Sequence, residues 1–491
     1  MNEPASTGAR TELSPASLGR LDPRIAVPRY DRGRLGRGIV HIGVGGFHRA
    51  HQAVYLDDLC ARGETGWSIT GAGVLPGDAA MVQALGAQSG LYTLVTRDAA
   101  GVDVRVIGTI TDYLHASPSA DALVARIADP ATRIVSMTVT EGGYPHDEAT
   151  MTWTPSPDGI LPPAFAAIAR GLAARRASGI GGLTVQSCDN VMHNGKVAKA
   201  VVLGVADAVE PGLAAWVERN VAFPSSMVDR ITPATSDADR AFLRDEYGLA
   251  DRWPVVSETF IQWVIEDEFA AGRPRYEDAG ALFTTDVRPY EILKLRLLNA
   301  GHSILAYLGT LAGIVHVFEV MADPVFARYL ERFHTVESSP SLPHVAGVDV
   351  AAYAAKVRER FANPTVRDQI ARIAQDGSGK FPKFLIPTIE AQLDAGGPIA
   401  LSALALAGWC QYLTGRDETG RQIAVQYDSN VETATRFAQA SVADPAAFLG
   451  YEAVFGERVG RDPRFVAAFT DALRAIRTAG ARAATERALA G

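Results

Sequence analysis

Cysteine is scarce in these 491 residues: only Cys60, Cys188 and Cys410 are present, far apart and odd in number. They offer neither a disulfide framework nor a zinc-ligand cluster, so no metal site is expected and a reducing compartment suits them. No uninterrupted apolar run reaches the ~18 residues that a membrane span needs. The opening stretch, MNEPASTGARTELSPASLGR, lacks an apolar core of the signal-peptide kind. The chain is therefore expected to be cytoplasmic, with no membrane partner. Positive charge is also in deficit, 47 Lys and Arg facing 55 Asp and Glu for a formal net charge of −8. That balance argues against nucleic acid as a partner and leaves room for a local basic pocket. Internal repeats and low-complexity tracts are missing as well.

What is abundant is apolar. Hydrophobic residues make up 47% and charged residues 21%, the composition of a globular protein with ample core. At about 150 residues per domain the length predicts two or three units, or two large ones.

Residues 1–37, rich in Pro, Ser, Gly and Arg, read as an extended arm. Order begins near Gly38. Ile39-Val40-His41-Ile42 predicts a short buried strand running into Gly43-Val44-Gly45-Gly46-Phe47-His48-Arg49, after which QAVYLDDLCARG is helical in pattern. Strand, glycine turn and helix form the setting of a dinucleotide fingerprint, in which Gly43, Gly45 and Gly46 let backbone approach a pyrophosphate and Arg49 adds a phosphate contact. The match is partial, because His48 stands where the third glycine belongs, and a plain tight turn is the competing reading. Asp78, the first acidic residue after a second strand at 67–71, is either a partner for the adenosine ribose, favouring NAD over NADP, or a solvated loop aspartate. Residues 92–98 and 102–114 predict a hairpin or an excursion from the parallel pattern. Strands at 133–140 and 183–186 run into Glu141-Gly142-Gly143 and Ser187-Cys188-Asp189-Asn190, so Gly43, Gly71, Glu141 and Asn190 are expected to rim one crevice. Asp229 and Arg230 suggest a buried ion pair of structural character.

The main boundary is expected at about residue 285, and from 289 onward helical periodicity dominates, with a Gly-Ser loop expected at 376–379 before a basic KFPKF at 380–384. The segment 289–309, PYEILKLRLLNAGHSILAYLG, predicts one mostly buried helix. At about 100° per residue, Glu291 falls near 60°, His302 near 80° and Asn299 near 140° from Lys294, so a base candidate, an amide and an imidazole share one side. They are either ordinary helix-face polar groups or a constellation that carries chemistry. Asn-Ala-Gly-His is poor helix-forming sequence in a strongly helical run, which suggests a demand for close backbone approach.

Taken together, Lys294-x-x-x-x-Asn299-x-x-His302, SCDN at 187–190, VDRITP at 228–233, TEGGY at 140–144, GVGGFHRAHQ at 43–52 and KFPKF at 380–384 resemble the polyol-specific long-chain dehydrogenases, most of all those acting on mannitol. The resemblance runs from about residue 38 to the C-terminus with the motifs in the family's order. It implies an α/β fold, a Rossmann-type doubly wound domain at 38–285 followed by a mainly α-helical domain at 286–491. It also implies metal-independent hydride transfer between NAD, with NADP possible, and a polyol/ketose pair, in a monomer. Residue by residue, Lys294 corresponds to the general base, Asn190 and Asn299 to amides holding the reacting oxygen, and His302 to a substrate hydrogen-bonding group. Asp229, Arg372 and Lys380 correspond to residues that bind substrate hydroxyls, and Glu291 to a carboxylate on the proton path. Phe47 and Glu141 fall with the glycines in the cofactor-binding set. The chemistry suits these types, since a buried lysine can lose its proton near neutral pH and two neutral amides can stabilise a developing alkoxide. Two departures stand out: the family's Asn-Gly-Ser-His is here Asn-Ala-Gly-His, and its Glu-Asp pair after the second strand is Gly77-Asp78. D-mannitol/D-fructose is the expected pair, with a hexuronate, arabinitol or sorbitol as alternatives within the family. A non-catalytic nucleotide-binding sensor is the alternative of a different class.

Overall fold

The computed structural model describes residues 10–98, 101–117, 119–147, 150–345 and 347–490. Residues 1–9 of the expected arm lie outside them. The chain divides into two compact units, Met1–Arg288 and Pro289–Gly491.

The first unit is built on β1 (Ile39–Ile42), followed by the short helix α1 (Gly46–Ala50) and α2 (Gln52–Ala61). Next come β2 (Ile69–Gly73), β3 (Tyr92–Asp98), β4 (Gly101–Ile107), β5 (Ile110–His115), α3 (Asp121–Ala128), β6 (Ile134–Met137), α4 (Pro163–Ala177), β7 (Thr184–Ser187) and α5 (Asn194–Val209). Five of the strands form one parallel sheet in the order β7-β6-β1-β2-β5. Both faces are covered, which is why these strands read as continuous apolar runs rather than alternating ones. Successive side chains still point to opposite sides. Val40, Ile42, Val135 and Met137 join Phe165, Ile168, Val201 and Val205 of α4 and α5 in one core, while Ile39 and Ile134 join Leu56 and Leu59 of α2 in another.

The excursion at 92–107 is the hairpin of β3 with β4, antiparallel through Tyr92↔Ile107. β5 then returns to the edge of the main sheet. Part of the arm is integrated into the unit: Thr11 and Glu12 pair with Leu249 and Ala250, and Leu13 and Ile25 are buried. Further on lie β8 (Ser226–Asp229) and β9 (Val255–Glu258), the latter paired with β3.

The second unit is helical. α6 (Arg288–Lys294), a π-helical turn (Leu295–Asn299) and α7 (Ala300–Leu311) lie end to end. α8 (Pro324–Arg332) runs into a second π-helical segment (Phe333–Ser338), followed by α9 (Val350–Phe361), α10 (Gly377–Phe384), α11 (Ala400–Leu413) and α12 (Pro463–Ala479). α11, ALSALALAGWCQYL, carries no charge and is apolar all round, the pattern of a helix enclosed on every side. Its residues from Leu401 to Leu413 are all buried. Among the described residues no helix is long and apolar enough to cross a membrane.

Candidate active site

In the first unit, β1, β2, β6 and β7 run parallel, so their C-terminal ends share one edge of the sheet. β1 is flanked by β2 on one side and β6 on the other, the point where connections leave in opposite directions and where such sheets place ligands. Gly43 closes β1 with φ +91°, and a Cβ there would lie 2.1 Å from the Thr138 carbonyl oxygen, so no side chain fits. The turn is fastened from both neighbours: Gly43 N–H donates to the Ala72 carbonyl at 2.9 Å, and Thr138 Oγ1 donates to the Gly43 carbonyl at 2.6 Å. At Gly45 a Cβ would meet nothing nearer than the Gly43 carbonyl, 4.0 Å away. The backbone is thus open on the side a pyrophosphate would approach, and these residues fit a dinucleotide.

His48, in place of the third glycine, has a structural cause. Its ring stacks on His41 of β1 with centroids 3.4 Å apart and planes 14° off parallel, so a flat ring replaces the close helix-to-strand contact that glycine would permit. His41 Nδ1 lies 2.8 Å from Ser136 Oγ and Nε2 lies 3.0 Å from Thr138 Oγ1. Burial holds both imidazoles neutral, depressing His41 to about 3 and His48 well below its usual value. Phe47 stacks on His51 at 4.8 Å.

Arg49 departs from expectation. It is 1% exposed, and its guanidinium donates to the Gly45 and Trp253 carbonyls and lies over the Tyr92 ring. Backbone oxygens and an aromatic face occupy the group expected to reach a phosphate. Gly71 is also not a strand end. It lies inside β2, where a Cβ would come within 2.7 Å of Val44 Cγ2, and the edge position belongs to Gly73. Asp78 folds back on that edge. A Cβ on Gly73 would sit 2.5 Å from Asp78 Cβ, and Asp78 Oδ2 accepts from Leu75 N–H at 2.9 Å, so the carboxylate is fixed at the end of β2.

Across the switch point Thr140 adopts φ +63° with ψ 166°, a conformation that costs a non-glycine residue on the order of 1–3 kcal/mol. Buried Asp189 holds it there. Its carboxylate accepts from Val139 N–H at 2.9 Å, Thr140 N–H at 3.0 Å and Tyr144 O–H at 2.6 Å, and burial pushes its pKa up. Asn194 secures the same loop, donating to the Asp189 and Ser226 carbonyls. Glu141 and Asn190 follow these two fastened points and are exposed. Asp189, Tyr144 and Asn194 were not singled out from sequence, although the first two lie inside the SCDN and TEGGY motifs.

Asp229 ends β8 and is 4% exposed. Arg230, expected as its ion partner, directs Nε and Nη2 to the Glu258 carbonyl and Nη1 to the Ala50 carbonyl, with burial lowering its pKa to about 10.

In the second unit, the segment expected to be one regular helix carries the π-helical turn. Ala300 N–H donates to the Leu295 carbonyl five residues back. One extra residue in the turn sets every later position back by about 100°. Asn299 moves from about 140° to about 40° from Lys294, and His302 from about 80° to about −20°. The slip gathers the polar groups into a tighter fan than a regular helix allows. Glu291 and Lys294, one turn apart, are each 6% exposed.

His302 stacks on Phe361 of α9, centroids 3.8 Å apart and planes 11° off parallel, and its buried Nε2 has no hydrogen-bond partner among the described residues. Burial keeps the imidazole neutral, aided by Arg372, Arg360, Lys380 and Lys294, whose positive charges all disfavour a further cation. Expected substrate contacts Arg372 and Lys380 therefore stand electrostatically near His302, as do Lys294 and Arg360, the last missed by sequence reasoning along with Phe361. Arg372 grips Asp368 with Nε and Nη2, and Lys380 Nζ donates to the Ile373 and Gln375 carbonyls. The loop expected at 376–379 is instead the start of α10. Gly377 is there for close packing, since a Cβ would lie 2.4 Å from Trp409 Nε1 and 2.6 Å from the Tyr307 hydroxyl.

Two family models match the chain: the mannitol dehydrogenase Rossmann domain over residues 37–278 and the mannitol dehydrogenase C-terminal domain over residues 286–477. Mannitol 2-dehydrogenase of Phaeosphaeria nodorum is 43% identical over 97% of this chain and 85% of its own length. That of Aspergillus fumigatus is 41% identical over 92% of this chain and 93% of its own. The solved ternary complex of Pseudomonas fluorescens mannitol 2-dehydrogenase with NAD and D-mannitol is similar at TM-score 0.88 and 41% identity, covering 98% of this chain and 100% of that one. A substrate-free D-sorbitol dehydrogenase is similar at TM-score 0.87 and 34% identity, covering 96% and 99%.

Proposed function

The chain belongs to the mannitol dehydrogenase family, and on that premise we propose that it oxidises D-mannitol to D-fructose with NAD and catalyses the reverse reduction. The observation that carries this reading is the likeness, over nearly the whole chain, to a structure holding both NAD and D-mannitol. The 34% identity to the sorbitol enzyme against 41% to the mannitol enzyme supports mannitol as the first substrate to test. On the family resemblance, the chain works as a cytoplasmic monomer.

When bound, the nicotinamide supplies the hydride acceptor. The open backbone at Gly45 and the fastened turn at Gly43 would hold its pyrophosphate, and Asp78 its adenosine ribose. The protein's own chemistry is proton handling. Lys294, in its neutral form, removes the hydroxyl proton of the carbon being oxidised, and burial is the setting in which an amine gives up its charge. Asn299 and Asn190 donate to the oxygen as charge develops there; neutral donors stabilise an alkoxide without adding a proton to the balance. The unpartnered Nε2 of neutral His302 takes up a hydroxyl of the polyol, while Arg372, Lys380 and Asp229 engage the others. Glu291, one turn before Lys294, passes the proton outward.

A panel of mannitol, sorbitol, arabinitol, fructose and fructuronate, followed by NADH absorbance, tests the assignment. Mannitol and fructose are expected to give the highest kcat/KM, and faster turnover of fructuronate than of fructose would overturn it. Asp78→Ala is expected to raise the NADP-to-NAD ratio of kcat/KM about tenfold, since a carboxylate beside a 2′-phosphate is a repulsive element worth about 1.4 kcal/mol. An unchanged ratio would remove Asp78 from the ribose site.

A further inference from the structure

A π-helical turn breaks the regular ladder of carbonyl acceptors, and buried carbonyls so released need donors from elsewhere. Here the second π-helical segment supplies side-chain donors to the turn, at the Arg296 carbonyl and, beside the Ala300 N–H that also reaches it, at the Leu297 carbonyl. His334 Nε2 lies 2.9 Å from the Leu297 carbonyl, and Ser338 Oγ donates to the Arg296 carbonyl at 2.9 Å. Both residues are completely buried. Because a carbonyl only accepts, the ring nitrogen facing Leu297 carries the proton. Arg296 returns the connection, donating to the Ser341 carbonyl at 2.6 Å. The supporting segment is itself anchored. Buried Glu337 accepts from Leu401 N–H at 2.7 Å and Ser402 N–H at 2.8 Å at the start of α11, and Gln392 donates to the Glu337 carbonyl at 2.6 Å.

Gly301 completes the arrangement. A Cβ there would lie 3.2 Å from His334 Nε2, 3.1 Å from Leu330 Cδ1 and 3.3 Å from Phe361 Cε2, tighter than ordinary contacts. A side chain at 301 would crowd the imidazole where it meets the turn.

We propose that His334, with Ser338, is a positioning residue for the reaction: it holds the π-helical turn that sets Asn299 and His302 against Lys294, and Gly301 leaves room for it. The functional half of this inference rests on the roles given above to Lys294 and Asn299; the structural half does not. Without the imidazole the turn can relax toward a regular helix, returning Asn299 and His302 by about 100° toward the phases of an unbroken helix.

The test uses the full-length protein and the variants His334→Leu, His334→Gln and Ser338→Ala. Hydrogen exchange of peptides spanning 295–302 is read first, in the absence of substrate. His334→Leu is expected to speed exchange there by about tenfold or more, while His334→Gln, whose amide N–H can reach the same carbonyl, stays close to the parent. Mannitol oxidation is read second. His334→Leu is expected to lose about 10- to 100-fold in kcat, the cost of slight misplacement of catalytic groups, with KM for NAD unchanged; His334→Gln recovers most of it, and Ser338→Ala shows a smaller loss. Unchanged exchange in both His334→Leu and Ser338→Ala overturns the inference, whatever the parent turns over. So does a kcat loss equal in the Leu and Gln variants, or one that tracks lowered thermal stability alone. A parent protein inactive on every polyol would overturn the proposed function instead, and exchange would still decide whether His334 holds the turn.

Discussion

Lys294→Ala is expected to lower kcat/KM for mannitol oxidation by roughly 10²- to 10⁴-fold near neutral pH, the usual contribution of a positioned general base. The loss falls mainly on kcat, because the proton that Lys294 removes leaves only on the way to the transition state. NAD affinity, assigned under the proposed function to the glycine turn of the other unit, should be unchanged and can be read by titration. Reduction of fructose should fall by the same factor as oxidation, since the variant cannot alter the equilibrium constant and the ammonium that protonates the ketose in one direction is the amine that deprotonates the alcohol in the other. Residual oxidation should rise with pH as hydroxide takes over the proton. A variant that keeps kcat within about threefold of the parent at every pH would refute Lys294 as base.

The parallel sheet was legible because its chemistry is local. Three of the four residues from Ile39 to Ile42 are apolar, and glycines follow at the strand end, so strand, burial and turn announce themselves within ten residues or so. The polar residues of 289–309 were legible for the same reason. Their true angular relation was not. The π-helical turn lies among Leu295, Leu297 and Leu298, in a stretch buried on nearly all sides, and a one-residue slip there leaves the apolar pattern unchanged. Its cause lies in His334 and Ser338, some forty residues away, whose hydrogen bonds leave no periodic trace. Arg49 shows a different limit. An arginine after a glycine turn can reach outward to a phosphate or inward to carbonyls, and the Trp253 carbonyl that settles the matter is 204 residues on. Gly377 read as a loop residue because glycine signals a turn and a close approach equally well, and only Trp409 and Tyr307 distinguish them.

Acid is expected to unfold this protein abruptly rather than gradually, and the sign follows from its buried histidines. His41 and His334 are depressed to about 3, and His48 and His302 lie well below their usual value, all chiefly through burial. An unfolded chain binds these protons at about pH 6.5 and the folded one refuses them, so each histidine removes up to about 1.4 kcal/mol of stability per pH unit below that point. Three buried carboxyls oppose them. Glu337 is raised to about 7, and Asp57 and Asp189 are raised by the same desolvation, so the folded state keeps protons that the unfolded state has released. That contribution favours folding as pH falls and is exhausted once unfolded carboxyls also protonate, near pH 4. Between about 6.5 and 4.5 Glu337 offsets one histidine and the raised Asp57 and Asp189 act in the same sense, so urea unfolding should show a shallower dependence there than at lower pH. Below about 4.5 that offset fades, and the four histidines together remove up to about 5 kcal/mol per pH unit until His41 and His334 themselves take up protons near 3; carboxylates held below their usual range, such as Asp267 and Asp323, add to the loss, so a typical stability of 5–15 kcal/mol is consumed steeply. The variants separate the terms. Glu337→Gln should steepen the shallow region by one proton, and His334→Gln should make the slope below 6.5 shallower by one. If neither slope moves, the buried groups are not what sets the acid limit of this fold.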